Sequence, residues 1–387
     1  MKMKHFIYLI ALMALLTAGC APDTPAALAA SAEKAYHEER YPRAIEAYEQ
    51  LIHIAGESPV NRLNLALCAL QVQDLEFARI NAAKAIEADP EGETGETARE
   101  ILGILAEHAK DDAAAAKQYR ALIHSKYTDI RIRARSRLAR IYADSGRHDS
   151  AFALLLASLN ERPTDAVSLY NLGKFCIREQ MNMRSSALDY LRQAERLLSN
   201  NPKAATQSRD ARAYIQRLEG YTARLRNIPR AVGNPEACAK ALRLAREAKA
   251  KKRWTRAEEL AADAAKANPA DAEAALELAR TAARNANTDT ALRAYDTTLS
   301  LRPNDTSARS EAAQLAYTAK QYDKALRYLR PALTVRPRDR MYADLMMRIL
   351  AAQNRRPDAR VWGEYYLSLD VNATDAYKRW VRSLPEY

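Results

Sequence analysis

Histidines and carboxylates are the first residues to examine for chemistry, because they bind metals and transfer protons near neutral pH. His37-Glu38 begins like the helix of a zinc protease, but Tyr41 stands where the second histidine ligand belongs. The sequence also lacks a P-loop, a GxGxxG turn and a GxSxG turn. No two of the six histidines lie at ligand spacing: His5, His37, His53, His108, His124 and His148. We therefore predict a protein that is not an enzyme, with no catalytic residue, no metal site and no cofactor.

Positive charge is the feature that could bind a partner. The formal net charge is +12, and residues 203–256 alone contain 15 Lys/Arg against 4 Asp/Glu. A smaller cluster of five arginines lies within residues 131–140. Such clusters attract acidic protein segments or anionic lipid headgroups. No nucleic-acid partner is expected, because aromatic side chains that could stack on bases are not interleaved with the charges.

The elements that position these charges are predicted to be helices. Hydrophobic residues make up 48% of the chain and alanine dominates them, whereas only 10 glycines and 15 prolines occur. Alanine is the best helix former, and its small side chain lets helices approach closely. The composition therefore predicts an all-α protein.

An internal repeat of 34 residues orders these helices. A first set of alanines has this spacing: Ala257, Ala291, Ala325 and Ala359. A second small residue stands twelve positions before each of the first three, and prolines follow at the same period: Pro269, Pro303 and Pro337. Small residues let two helices of a hairpin cross closely, and a proline ends the second helix. Similar alanines recur with spacings of 34 to 37 in the first half: Ala44, Ala78, Ala115, Ala151 and Ala187.

These residues resemble the tetratricopeptide repeat (TPR). The resemblance implies an all-α superhelical solenoid of about nine TPR-type hairpins in two sub-arrays. We expect an N-terminal array over residues 28–202 and a C-terminal array over residues 235–371. Between them, residues 203–234 are predicted to form a basic helical connector, and residues 372–387 a capping helix.

The TPR resemblance also suggests which residues bind a partner. In this family the first helix of each hairpin lines a concave groove. The corresponding positions here are Arg133, Arg137, Arg140, Tyr170, Asn171, Lys174, Arg178, Arg243, Arg246 and Lys249. A groove of this kind implies charge-assisted binding of an acidic peptide or a carboxyl-terminal tail. The alternative is a solvated basic helix face that aids solubility or touches anionic lipid.

Residues 1–19 are predicted to be a signal peptide and not part of the fold. Lys2 and Lys4 precede an apolar stretch, and the following Leu16-Thr17-Ala18-Gly19-Cys20 resembles a bacterial lipobox. The resemblance implies that Cys20 is acylated and that residues 20–27 form a lipid-anchored tether. Ala21 rather than aspartate follows Cys20. The resemblance to a lipobox therefore also favours attachment to the periplasmic face of the outer membrane. An ordinary signal peptide with an incidental cysteine is the alternative.

Three further cysteines show no paired spacing: Cys68, Cys176 and Cys238. We expect them to be small buried residues within helices, and a Cys176–Cys238 disulfide stays open at this point. The sequence as a whole predicts a lipid-anchored scaffold or adaptor that binds protein or peptide partners in the cell envelope. Its layout resembles TPR lipoproteins that assist outer-membrane assembly, secretion or pilus biogenesis. The alternative is a binder of anionic envelope polymer or glycolipid through residues 203–256.

Overall fold

The computed structural model describes residues 24–178, 181, 183–226, 233–370 and 372–386. All regular elements in these ranges are helical, which confirms the all-α prediction. Contacts divide the chain into two compact units, residues 1–141 and 142–387. The predicted signal peptide and Cys20 lie outside the described residues. None of the described helices is long and apolar enough to cross a membrane.

The first unit contains three complete hairpins and the greater part of a long helix. In chain order its helices are α1 (Pro25–His37), α2 (Tyr41–Ala55), α3 (Pro59–Gln71), α4 (Leu75–Ala88), α5 (Glu93–His108) and α6 (Asp112–Leu122). The next helix, α7 (Thr128–Asp144), begins in the first unit and ends in the second.

The second unit begins with α8 (His148–Glu161), α9 (Ala166–Ile177), α10 (Arg184–Leu198) and α11 (Ala205–Arg226). Four further hairpins follow: α12 (Pro235–Ala250) with α13 (Trp254–Ala267), α14 (Ala272–Arg284) with α15 (Thr288–Leu301), α16 (Thr306–Thr318) with α17 (Tyr322–Val335), and α18 (Arg340–Ala352) with α19 (Arg356–Leu369). The last helix is α20 (Asp375–Ser383). In chain order the described helices thus form nine first-and-second pairs, as the repeat predicted.

The recurring small residues lie where the two helices of a hairpin cross. All nine repeat alanines, from Ala44 to Ala359, are completely buried. A Cβ atom on Gly103 would lie only 2.6 Å from Cε1 of Tyr119, and one on Gly173 only 2.7 Å from Cγ of Leu191. These distances are shorter than van der Waals contact, so each crossing depends on the missing side chain.

The loops repeat as regularly as the helices. The turn between the first and second helix contains a residue in the left-handed region, for example Lys252, Ala286, Lys320 and Asn354. Between hairpins, the proline that follows the second helix is succeeded two positions later by an aspartate that caps the next first helix: Asp271, Asp305 and Asp339. Each of these carboxylates accepts hydrogen bonds from backbone N–H groups of the first helical turn, which would otherwise be unsatisfied.

The predicted connector contains a single long helix. Helix α11 packs along α10, as the first helix of a hairpin would, but no second helix follows it in the described residues. The remaining connector residues, 227–232, lie outside the described ranges. At the other end of this unit α20 contacts α19, and a Cβ on Gly363 would lie 2.7 Å from Cγ1 of Val381. The domain boundaries stay predictions, although a helix stands where the connector and the cap were each expected.

The second unit also folds back on itself. Helix α8 packs against α19, and α10 packs against α17. All four are second helices of their hairpins, so the contact joins the outer faces of two stretches of the array. Its centre is Trp362, which is completely buried and contacts Phe152 edge-on, with ring centroids 5.9 Å apart. The 34-residue period does not predict this contact.

The three described cysteines are buried within helices, as expected, and carry free thiols. Burial raises the pKa of the Cys68 thiol to about 12. Burial also raises the pKa of Cys176, so these thiols stay protonated near neutral pH and react slowly. The open question of a Cys176–Cys238 disulfide is thereby answered, because both residues are free.

Candidate functional site

First helices of neighbouring hairpins lie against one another: α3 contacts α5, α12 contacts α14, and α16 contacts α18. Within each unit, we call the surface formed by these first helices the first-helix face. Side chains three or four positions apart point from it in the same direction. All ten predicted partner-binding residues lie on first helices or, for Arg178, at the residue directly after one.

In the first unit, the three predicted arginines of α7 bind two glutamates of α5. The Arg133 guanidinium donates to Glu100, with Nη2 2.8 Å from Oε2. Arg137 lies between Glu100, at 3.8 Å, and Glu107, at 3.2 Å. Arg140 also binds Glu107, at 2.9 Å. Glu100 is completely buried, and Arg133 and Arg137 bind it from the next first helix.

In the second unit, the predicted residues of α9 contact the connector helix α11. The Tyr170 hydroxyl donates to Asp210 at 3.3 Å, and the Lys174 ammonium lies 5.1 Å from the centre of the Tyr170 ring. Burial and the Asp210 carboxylate raise the pKa of Tyr170 to about 12, so its hydroxyl keeps its proton. Arg178 binds Asp144 at 2.8 Å. Asn171 is half-buried on the same helix.

The predicted residues of α12 form a third cluster. Arg246 binds Glu273 at 2.8 Å, and Lys249 binds Glu277 at 2.6 Å. Both glutamates belong to the next first helix, α14. Arg243 is 72% exposed and only loosely paired with Glu247, at 3.8 Å. It is therefore the cation of this cluster that is most open to a partner.

The same pairing continues along the array beyond the predicted residues. Arg280 of α14 binds Glu311 of α16 at 2.8 Å, and the Tyr295 hydroxyl donates to the same carboxylate at 3.0 Å. Burial alone would raise the pKa of Glu311, but the hydrogen bonds from Arg280 and Tyr295 outweigh it and lower the pKa. The carboxylate therefore stays ionised at neutral pH.

The sequence analysis did not identify the carboxylates that bind these cations: Glu100, Glu107, Glu273, Glu277 and Glu311. Each accepts a hydrogen bond from a cation 27 to 33 residues away. A cation and a glutamate separated by nearly one repeat length are a signal for such pairs. The charge count over whole regions of the sequence does not reveal it. Since most predicted cations are already bound, the first-helix face is less positive than the regional count suggests.

The structure places the ten residues in three clusters rather than in one site. One cluster lies on α5 and α7, one on α9 and α11, and one on α12 and α14. Apart from these, the cations of the turn between α12 and α13 are exposed: Lys251, Lys252 and Arg253.

A separate open cleft lies within the second unit, between α10, α11 and the end of α17. Its volume is about 1060 Å³. Charged pairs form its rim, among them Arg192 with Glu219 at 2.6 Å and Arg212 with Glu195 at 2.7 Å. Ile215 and Val335 supply apolar surface. The described residues contain no group of three or more His, Cys, Asp or Glu side chains that could hold a metal ion.

Comparisons with known proteins give the following. No protein-family model matches the sequence, and no curated protein matches it. Among solved structures, a MamA protein is 19% identical, with a TM-score of 0.37, over 47% of this chain and 96% of the other. YrrB, a TPR protein with an unusual peptide-binding site, is 16% identical with a TM-score of 0.35, over 48% of this chain and 93% of the other. PilF of Pseudomonas aeruginosa is 19% identical with a TM-score of 0.33, over 67% of this chain and 97% of the other.

The architecture follows one repeated plan. On either side of the connector the repeat alanines recur every 34 to 37 residues, and the helices of each hairpin cross at buried alanine or glycine residues. First helices of neighbouring hairpins adjoin, and side chains on them link one repeat to the next. The chain is an all-α protein built of repeated helical hairpins, and its repeat resembles the tetratricopeptide repeat.

Proposed function

We propose that this chain is a non-enzymatic scaffold that holds protein or peptide segments on its first-helix face. The observation that supports this function is the set of Arg, Lys, Tyr and Glu side chains that link neighbouring first helices within each unit. Such side chains make charge-assisted hydrogen bonds and aromatic contacts with a bound segment. Repeat arrays present this kind of extended surface because each hairpin adds a similar set of side chains.

The preferred partner in this proposal is an acidic segment. One carboxylate of the segment would bind Arg243 directly. Another would replace Glu273 as the partner of Arg246. Because this exchange replaces one ion pair by another, affinity should depend on where the acidic residues lie along the segment. Net charge alone should matter less.

A pair of matched variants tests this surface. We expect Arg243→Gln with Arg246→Gln to weaken capture of envelope proteins about ten-fold or more, because each charge-assisted hydrogen bond contributes roughly 1.5–3 kcal/mol. The control is Arg256→Gln with Lys266→Gln, which removes the same charge from the second helix α13. Binding is measured by pull-down from detergent-solubilised envelopes at several salt concentrations.

The same experiment distinguishes this function from the alternative, in which the chain binds anionic polymer or glycolipid. The exposed turn at Lys251, Lys252 and Arg253 favours a binder of anionic polymer or glycolipid. Binding of that kind would fall steeply with salt and would weaken similarly in both double variants. Equal loss in the two variants would therefore count against the first-helix face as the binding surface.

We also propose that acylated Cys20 anchors the protein to the outer membrane on its periplasmic face, where it would assist outer-membrane assembly, secretion or pilus biogenesis. The support is the lipobox-like sequence that ends at Cys20. Cys20→Ser should move the protein from the membrane fraction to the soluble fraction, because the acyl chains supply the anchoring energy. Fractionation followed by immunoblotting measures this, with Cys68→Ser as the control. Retention of Cys20→Ser in the membrane would contradict the anchor.

A further inference from the structure

The second unit contains an interface between helices that are far apart in sequence. It joins what we call the front sub-array, α8–α11, to the rear sub-array, α12–α20, through the pairs α8/α19 and α10/α17. Its hydrogen bonds link residues separated by 144 to 213 positions. The interface is thus independent of the contacts between neighbouring hairpins.

A buried carboxylate lies at one end of this interface. Asp149 of α8 is 1% exposed, and Arg330 of α17 binds both of its oxygens, at 2.7 and 2.9 Å. Arg355, at the start of α19, binds it as well, at 2.8 Å. Burial alone would raise the pKa of Asp149, but the two guanidiniums outweigh it and lower the pKa, so the carboxylate is charged at neutral pH.

Further polar contacts surround this ion pair. Arg355 also binds Asp358 at 2.9 Å, and Asp358 accepts a hydrogen bond from the Ser150 hydroxyl at 2.5 Å. The Trp362 indole N–H donates to the backbone carbonyl of Asp149 at 3.0 Å. The bonds from Ser150 and Trp362 join one sub-array to the other. The bond between Arg355 and Asp358 lies within the rear sub-array and orients both side chains for those contacts.

The other end of the interface is held by hydroxyl groups and opens into the cleft. The Tyr190 hydroxyl donates to the Thr334 carbonyl at 2.8 Å. The Ser186 and Thr334 hydroxyls are 2.6 Å apart, and Thr334 donates its own proton to the Pro331 carbonyl, so Ser186 is the donor. Ser186, Tyr190 and Thr334 also line the cleft. The cleft therefore has walls from both sub-arrays and depends on their contact.

We propose that Asp149 is the latch of a clamp: with Arg330 and Arg355 it holds the front and rear sub-arrays together, and the cleft between them exists only while it is closed. Trp362 and Phe152 pack at the centre of the interface, and the ion pairs of Asp149 with Arg330 and Arg355 close the end beside them. Loss of one member of a buried ion pair leaves the others uncompensated, which favours the separated state. The clamp is independent of which partner the first-helix face binds.

A cross-linking reporter on the full chain tests the latch. Ser186→Cys with Thr334→Cys should form a disulfide rapidly under mild oxidation, because the two hydroxyls are 2.6 Å apart. Adding Asp149→Asn should slow cross-linking by about ten-fold, because the rate follows the closed fraction and this substitution should leave only about one tenth of the molecules closed. Helical content, measured by circular dichroism, should be unchanged. The two single-cysteine variants show the background from the buried native thiols.

Matched arginine variants supply the control. Arg330→Met with Arg355→Met should slow cross-linking as Asp149→Asn does, and these side chains keep most of their apolar stem. Arg327→Met should leave the rate unchanged, because Arg327 lies on the same helix as Arg330 but binds Asp296 within the rear sub-array, at 3.3 Å. Cross-linking at the unaltered rate in Asp149→Asn would overturn the latch. So would a parallel loss of helix, since Asp149 would then be required for folding of the whole unit.

Discussion

Glu100→Ala is expected to destabilise the first unit by roughly 3 kcal/mol. The carboxylate is completely buried, and its removal leaves Arg133 facing a cavity without its ion-pair partner, whereas Arg137 keeps Glu107. Breaking a buried pair in this way typically costs about 3–5 kcal/mol. The expected loss of stability is at the lower end of this range, because both guanidiniums are partly exposed and water can replace some of the lost interaction.

Segment-resolved hydrogen exchange is the suitable measurement, since a repeat protein with two compact units need not unfold in one step. Exchange should accelerate in α5 and α7 and stay unchanged in α14 to α16. Glu76→Ala is the control, because Glu76 also binds an arginine, Arg79, but is 65% exposed. If the two variants exchange alike, the Glu100 ion pairs do not stabilise the stacking of α5 on α7.

Trp362→Ala is expected to have an effect at least as large in the second unit, roughly 3–5 kcal/mol. The Trp362 side chain is completely buried and touches Phe152 and Tyr365, with ring centroids 5.9 and 5.6 Å away. Truncation would leave a large cavity between α8 and α19. It would also leave the Asp149 carbonyl without the indole N–H that now donates to it.

Two further substitutions separate the causes of that loss. Trp362→Phe keeps an aromatic ring but has no N–H, so its destabilisation should be intermediate. Trp380→Ala removes an indole that is 40% exposed on the capping helix and should destabilise least. Urea unfolding and hydrogen exchange of α8 and α19 provide the measurements. Equal losses for Trp362→Ala and Trp380→Ala would mean that Trp362 does not anchor the contact between the sub-arrays.

The candidate site was only partly predictable. The position of each predicted cation on a first helix followed from the repeat, because a residue's place in the 34-residue motif decides which face it occupies. The carboxylate that binds each cation could not be predicted from the repeat. Arg246 and Arg243 are both arginines three positions apart on α12, yet one binds a glutamate of the next hairpin and the other is largely exposed. That difference depends on which carboxylate the neighbouring helix brings within a few ångströms.

The sequence by itself determined the helical hairpins, their number and the residues at their crossings. These features are local: Ala257 and Ala291 meet their packing partners within one repeat, so a residue type at a fixed spacing is sufficient to place them. Only the tertiary structure decided that α8 packs against α19 and that Asp149 is buried between Arg330 and Arg355. A contact across some 200 residues depends on small rotations summed over many hairpins, and an aspartate on a helix has the same sequence signature whether it is solvated or buried.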